Sequence, residues 1–154
     1  RTFVNLVATS IIEVKKGEVL YEGIEERALK IIDRCGAREW CILHSFEPEV
    51  LDTIHALDPS FPLYMTLELD PASGPFVPGT ELSGNPAYLA WECFKGYNVN
   101  FEVVDASTVR KVREMGLKIV VWTVNEEKDI RKMAGLGVDG IISNFPDRVK
   151  RGVS

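Results

Sequence analysis

The chain has 154 residues, 45% of them apolar, and carries 18 basic against 23 acidic side chains for a net charge of −5. That length suits one domain spanning 1–154, burying about 70% of its unfolded surface. The acidic balance, with no block of Lys or Arg, excludes nucleic acid or an anionic membrane surface as a natural partner.

No apolar run approaches the ~18 residues of a membrane span, and no signal-peptide pattern opens the chain, so the expected location is cytoplasmic. "FVNLVATSIIEVK" reads as a strand. "YEGIEERALKIIDRCGA" follows as a helix, with Ile24, Ala28, Ile31, Ile32 and Cys35 on its apolar face and Gly36 as its stop. "WCILHSF" is a nearly unbroken apolar strand of the kind covered on both faces. "EPEVLDTIHALDP" is the next helix, with Pro48 in its first turn and Val50, Leu51, Ile54 and Leu57 pointing inward. "PLYMTLEL" is a third strand.

A stretch rich in Pro, Gly and Ser, "DPASGPFVPGTELSGNP", is longer than ordinary connections and reads as a functional or disordered loop. The spacing then predicts a short helix over "AYLAWECFKG", a strand over "NVNFEVV", and a helix over "STVRKVREMG" closed by Gly116. "KIVVWTV" is a strand. Asn125 is the expected N-cap of "EEKDIRKMAGLG", whose stripe is Ile130, Met133 and Leu136, and "VDGIISN" ends the series as a strand. Cys35, Cys41 and Cys93 are odd in number, lack a CxxC spacing, and read as reduced core residues.

Strands alternating with helices predict parallel βα units, either in an open doubly wound sheet or in part of a (β/α)8 barrel. In both, function gathers at the C-terminal ends of the strands. Glu13 and Lys15 are two residues apart at such an end, so they share a face while Val14 lies behind them. A strand fraying into a charged loop would give the same three letters. The same test marks Ser45 and Phe46, Trp122 and Thr123, and Ser143 and Asn144, although a Trp there is equally at home in a core.

The stretches "IIEVK", "CILHSFEPEVLDTIHALDPSFPL" and "GLKIVVWTVNEEKDIRKMAGLGVDGIISNFPD" resemble, in order and spacing, the glycerophosphodiester phosphodiesterase family. The corresponding stretches of that family read roughly I-E-I-K, L-S-S-F-(D/E)-P, V-W-T-V-N and G-(V/A)-D-G-I-I-T-D-x-P. The run from Gly116 to Asp147 is the most specific, and the resemblance extends over most of the chain from Ile12 onward.

The resemblance implies an α/β fold of the (β/α) TIM-barrel type, with this chain supplying the later five or six strands of a (β/α)8 barrel. It implies metal-dependent hydrolysis of glycerophosphodiesters to glycerol 3-phosphate and an alcohol. Glu13 would be a carboxylate ligand of a divalent metal, Mg or Ca, and Lys15 would bind a phosphate oxygen, both acting in catalysis. Trp122 would form an apolar wall of the substrate site and Phe46 would shape it.

The acid/base histidines of the family, in an H-R-G and an H-D motif, and its earlier E-x-D have no counterpart at the expected places. His55 reads as a helix-surface or boundary residue. His44 stands where the family usually carries a small residue and reads as a buried, hydrogen-bonded imidazole. Glu68 and Asp70 form a later E-x-D that reads as solvated loop charge, the alternative being a cation site shared with Glu13.

A (β/α)8 barrel takes about 250 residues, ~100 more than are present. Together with a first residue that is Arg1 rather than Met, this suggests a part or shortened relative of such an enzyme. Open strand edges then lead to the expectation of a homodimer or of a complementing N-terminal segment. A non-catalytic half-barrel that binds an anionic ligand or self-associates, lacking the family's acid/base histidines, is the alternative.

Overall fold

The alternation of β-branched runs with amphipathic stretches is realised as alternating strands and helices in the structure, a computed structural model that describes residues 10–15, 21–78 and 94–153. They form two compact units. One comprises residues 10–66 with 94 and 95, and the other residues 67–78 and 96–153, among those described.

The first unit contains β1 (Ser10–Glu13), α1 (Ile24–Arg34), β2 (Cys41–Ser45), α2 (Pro48–Leu57) and most of β3 (Leu63–Leu67). The strands are parallel neighbours in chain order, with Glu13 opposite His44 and His44 opposite Tyr64. Parallel neighbours need a crossover, and each helix supplies one. Pro48 occupies the first turn of α2, where its missing N–H costs no hydrogen bond. Leu43, Val50, Leu51, Ile54, Phe61 and Leu63 are shut off from solvent. Each contributes about 1.5–3 kcal/mol relative to an exposed side chain.

Arg38, in the 3-10 turn Arg38–Trp40, fastens the other end of this unit. Its guanidinium donates to Asp58 at 2.6 Å and to Asp33 at 3.1 Å, and lies 5.4 Å from the Phe61 ring centre. Hydrogen bonds from Ser60, then from Arg38, hold the Asp58 carboxyl down at about 2.

Three expectations about the apolar face and the cysteines fail in this unit. Helix α1 buries Leu29 and Ile32, while Ile31 is 55% exposed. Adjacent helical residues lie about 100° apart, so with apolar residues on more than one side only one of the two isoleucines reaches the core. Cys35 is exposed just past the end of α1, so of the cysteines described only Cys41 is a core residue, and both are free thiols. Leu57, the last residue of α2, is 49% exposed where the chain turns away. Cys93 lies outside the described residues.

The second unit takes up β4 (Phe94–Asn100) from Gly96, then α3 (Ala106–Glu114), β5 (Lys118–Trp122), α4 (Glu127–Leu136), β6 (Gly140–Ile141) and α5 (Pro146–Gly152). Its strands are again parallel, with Asn100 opposite Trp122 and Val120 opposite Gly140. Asp105 caps α3 by accepting from the Thr108 N–H at 2.8 Å, which lowers the carboxyl's pKa. Ile130 and Met133 form the buried stripe of α4, with Leu136 half-buried, and Gly137 closes that helix at φ 80°, a conformation that suits glycine.

Strand β4 starts at Phe94, four residues before the expected start, so the helix expected over 87–96 does not reach its last three residues; 87–93 lie outside the described residues. Phe101–Val103 form a 3-10 turn rather than the end of that strand. Part of the Pro/Gly-rich loop, 79–86, also lies outside the described residues, as does the chain before Ser10. Asn125 is not an N-cap. Glu126 holds that position without a side-chain bond, and Asn125 is engaged elsewhere.

Candidate active site

In the first unit the strand ends bring together Glu13, Lys15, His44 and Thr66. Glu13 is the last residue of β1 and Lys15 follows two on, so both carry the strand's alternation onto one face. Lys15 Nζ is 3.5 Å from Glu13 Oε1, with the lysine side chain 75% exposed and the glutamate 28% exposed. The cation is thus displayed to solvent and the carboxylate half withdrawn.

His44 stands beside Glu13 in the parallel ladder, on the same face. It is buried, and its Nδ1 lies 2.7 Å from Thr66 Oγ1. Thr66 follows Tyr64 by two residues and so shares the face of the His44–Tyr64 rung. Burial first, and the field of Lys15 second, push the imidazole down to about 4. The ring is therefore neutral at pH 7, as the expectation of a buried, hydrogen-bonded histidine required.

Ser45 was among the strand-end polar groups expected to face a ligand, and it is instead fully buried. Its Oγ lies 2.6 Å from the Val14 carbonyl and 2.8 Å from the Glu47 carboxylate, either of which takes its proton, and it accepts from the Glu47 N–H at 3.2 Å. Ser45 thereby fixes the backbone between Glu13 and Lys15. Phe46, the next residue, is exposed at the start of the β2–α2 connection. His55, on α2, is half-buried.

In the second unit Trp122 ends β5, half-buried, opposite Asn100. Asn100 is buried and its carboxamide grips one residue of the chain beyond β3. Oδ1 accepts from the Leu69 N–H at 2.8 Å, and Nδ2 donates to the Leu69 carbonyl at 3.0 Å. A side chain thus replaces a strand partner for that residue. Glu68 and Asp70 flank it and are exposed, and the Asp70 carboxylate accepts from the Ala72 N–H at 2.9 Å. The E-x-D is loop charge and a turn cap.

Ser143 and Asn144, also expected at a ligand-facing end, are tied to Asn125. Asn125 Oδ1 accepts from the Asn144 N–H at 3.0 Å and lies 3.3 Å from Ser143 Oγ, while its carbonyl accepts from Arg148 at 3.0 Å. This joins the connections that follow β5 and β6.

Thr66 and Asn100 were not singled out from the sequence. A polar residue interrupting an apolar strand, "YMTL" or "YNVN", was the available signal. Among the described residues, no group of three or more His, Cys, Asp or Glu side chains converges as a cation site. Glu13 offers one hard oxygen donor, whereas Mg²⁺ or Ca²⁺ takes about six or more oxygens, some from water. These residues alone do not make a metal centre.

Parallel strands joined by helices, with charged and polar side chains at the C-terminal strand ends, define a barrel-type α/β protein. A solved structure of a phosphodiesterase from Oleispira antarctica, in complex with the product sn-glycerol-3-phosphate, has the same fold at a TM-score of 0.69 and 18% identity, over 92% of this chain and 53% of that one. The chain belongs to the glycerophosphoryl diester phosphodiesterase family, whose family model matches residues 8–148.

It is 34% identical to the glycerophosphodiester phosphodiesterase of Bacillus altitudinis over 137 residues, covering 89% of this chain and 52% of the relative. It is 28% identical over 158 residues to that of Bacillus subtilis strain 168, covering 94% and 50%. The chain therefore spans about half the length of the curated relatives it matches. Among the described residues, no helix is long and apolar enough to cross a membrane.

Proposed function

We propose that the chain forms part of a site that hydrolyses glycerophosphodiesters, releasing glycerol 3-phosphate and an alcohol. The observation that carries this reading is the Glu13–Lys15 pair, displayed at the end of β1 in a member of this family. Lys15 is the phosphate-binding cation, placed where a diester approaching from solvent meets it. A fixed positive charge beside a phosphoryl group stabilises the anion that grows as the ester breaks. Phe46 supplies apolar surface for the rest of the substrate, and Trp122 of the second unit is separately assigned, from family membership alone, as a residue that meets substrate. The product held by the Oleispira relative belongs to the same chemical class.

Glu13 supplies one oxygen donor to a divalent cation, Mg²⁺ or Ca²⁺, whose chemistry is to polarise the phosphoryl oxygen. One carboxylate does not complete such a site, and no step is assigned to the cation. The second reading is a non-catalytic half-barrel that binds an anionic ligand or self-associates, since the family's H-R-G and H-D histidines have no counterpart at the expected places of this sequence.

Release of glycerol 3-phosphate from glycerophosphocholine by the natural full-length protein, with Mg²⁺ or Ca²⁺ added, decides between them. Turnover that is abolished by EDTA and reduced about 100-fold by Glu13→Gln supports the enzyme. Glycerol 3-phosphate binding without turnover supports the second reading, and turnover indifferent to both treatments removes the metal role of Glu13.

A further inference from the structure

We propose that Ser45 is a positioning residue for the reaction: its hydroxyl holds the peptide group between Val14 and Lys15 and so aims the Lys15 ammonium at the bound phosphate ester. The inference deepens the function proposed above and rests on it.

Glu13 and Lys15 are joined through two peptide groups, and each is held by a different atom of β2. The first, between Glu13 and Val14, donates its N–H to the His44 carbonyl at 2.9 Å, an ordinary bond of a parallel ladder. The second, between Val14 and Lys15, lies past the end of β1, and its carbonyl is 2.6 Å from Ser45 Oγ. A side chain thus takes hold of the group on which the direction of Lys15 depends. Ser45 and Val14 are both buried, so water does not stand in for the hydroxyl when it is removed.

The hydroxyl is itself fixed. It accepts from the Glu47 N–H at 3.2 Å, which leaves it one proton to give, and the Glu47 carboxylate at 2.8 Å is the other acceptor in reach. The Lys15 side chain, by contrast, is 75% exposed, and a water-screened ion pair restrains it only weakly. Its direction is therefore set chiefly where it leaves the backbone. A charge that stabilises a growing anion must be held in place, and a displacement of about 1 Å costs up to about 100-fold in rate.

The test is a double-mutant cycle in the natural full-length protein: Ser45→Ala, Lys15→Met and the two together. Binding of sn-glycerol 3-phosphate is read by calorimetry, and hydrolysis of glycerophosphocholine by steady-state kinetics. Ser45→Ala raises Kd about fivefold and lowers kcat/KM about tenfold, because the cation is displaced rather than deleted. On the Lys15→Met background the same substitution changes either quantity less than about twofold. Ser45→Thr, which keeps the hydroxyl, stays within about threefold of the parent.

A serine kept for folding alone lowers the urea midpoint equally on both backgrounds and leaves the kinetics of the folded protein where they were. Either that result, or equal kinetic losses on both backgrounds, overturns the inference. If Ser45→Ala does not fold, Ser45→Cys, whose thiol fills the space but donates weakly, replaces it in the cycle under the same criteria. Where the parent binds and turns over and Lys15→Met impairs it, but the Ser45 variants match it, only the role of Ser45 falls. A parent that neither binds sn-glycerol 3-phosphate nor hydrolyses the diester overturns both readings.

Discussion

Glu13 and His44 face one another across the β1–β2 ladder, one ending a strand in a solvent-reaching ion pair and the other buried and neutral. Two polar side chains on one rung thus meet opposite fates. The difference comes from the neighbours: Glu13 has Lys15 two residues on, already outside the strand, while His44 lies between β1 and β3 with Thr66, two residues beyond its partner Tyr64, at 2.7 Å from Nδ1. The lysine of the pair reaches solvent while its carboxylate is half withdrawn, and the buried ring is engaged at Nδ1.

The buried ring makes stability depend on pH in a defined window. The groups on its face are Glu13, Lys15, Tyr64 and Thr66. Unfolded, the imidazole takes up a proton near 6.5; folded, it resists until about 4. Between these values the unfolded chain binds the extra proton, so stability falls as pH drops from 6.5 to 4 and is level above. The loss amounts to at most on the order of 3 kcal/mol. Urea denaturation at intervals across this range will show that slope in the parent, and His44→Gln will flatten it. A parent whose midpoint does not move between pH 7 and 4.5 contradicts the assignment.

Two asparagines of the second unit make opposite predictions on conversion to aspartate. Asn100 both accepts from and donates to Leu69, so Asn100→Asp sets a carboxylate against the Leu69 carbonyl and loses the donor. The cost is about 2–3 kcal/mol, since the part-buried Leu69 carbonyl loses its donor and a charge is set in a buried side chain against that carbonyl and the Glu102 carboxylate. Asn125 uses its Oδ1 to accept from the Asn144 N–H, which a carboxylate does equally well. Asn125→Asp is therefore held within about 0.5 kcal/mol of the parent, and Asn125→Ala loses about 1 kcal/mol. Chemical denaturation of the three variants gives the order directly.

What the sequence revealed divides along a physical line. Helix α2 was legible because Val50, Leu51 and Ile54 repeat at helical spacing and Pro48 marks the start. That Glu13 and Lys15 share a face was legible because the alternation of a strand is local, while the ion pair between them was not foreseen. The burial of His44 was foreseen, but not its partner, since Thr66 lies 22 residues away and only the register of the strands unites them.

Where local and distant partners competed, the local reading lost. Asn125 has the chemistry of an N-cap, yet the backbone N–H of Asn144 takes its oxygen. Strand β4 was displaced because "FKGYNVN" contains Lys95 and Gly96, which interrupt the apolar pattern, while "FEVV" continues it and nonetheless turns.

Trp122 is predicted to act on affinity more than on rate. An indole offers about 150–250 Å² of surface, and half-burial leaves part of it for a ligand. Trp122→Ala raises KM for glycerophosphocholine about tenfold, while Trp122→Phe keeps it within about threefold. Steady-state kinetics on both variants, with thermal melts to establish folding, provide the check. If Trp122→Ala leaves KM unchanged, the indole is a core residue and its place in the site is lost.

The sharpest prediction separates what the Glu13–Lys15 pair does for the fold from what it does for chemistry. With one partner 75% exposed, the ion pair is largely screened by water, and such pairs contribute about 0–1 kcal/mol. Lys15→Met therefore leaves the urea midpoint almost where it was. The same change removes the cation proposed to stabilise the phosphoryl group, a loss worth about 100-fold or more in kcat/KM. Lys15→Arg keeps the charge but replaces a compact ammonium by a planar fork, so it recovers part of the activity rather than all. Raising the salt concentration weakens the parent's affinity for glycerol 3-phosphate, and does so less in Lys15→Met, because the exposed charge that salt screens is then absent. A residue kept for folding would give the converse pattern, with a lowered midpoint and intact kinetics, and that result would remove Lys15 from the proposed site.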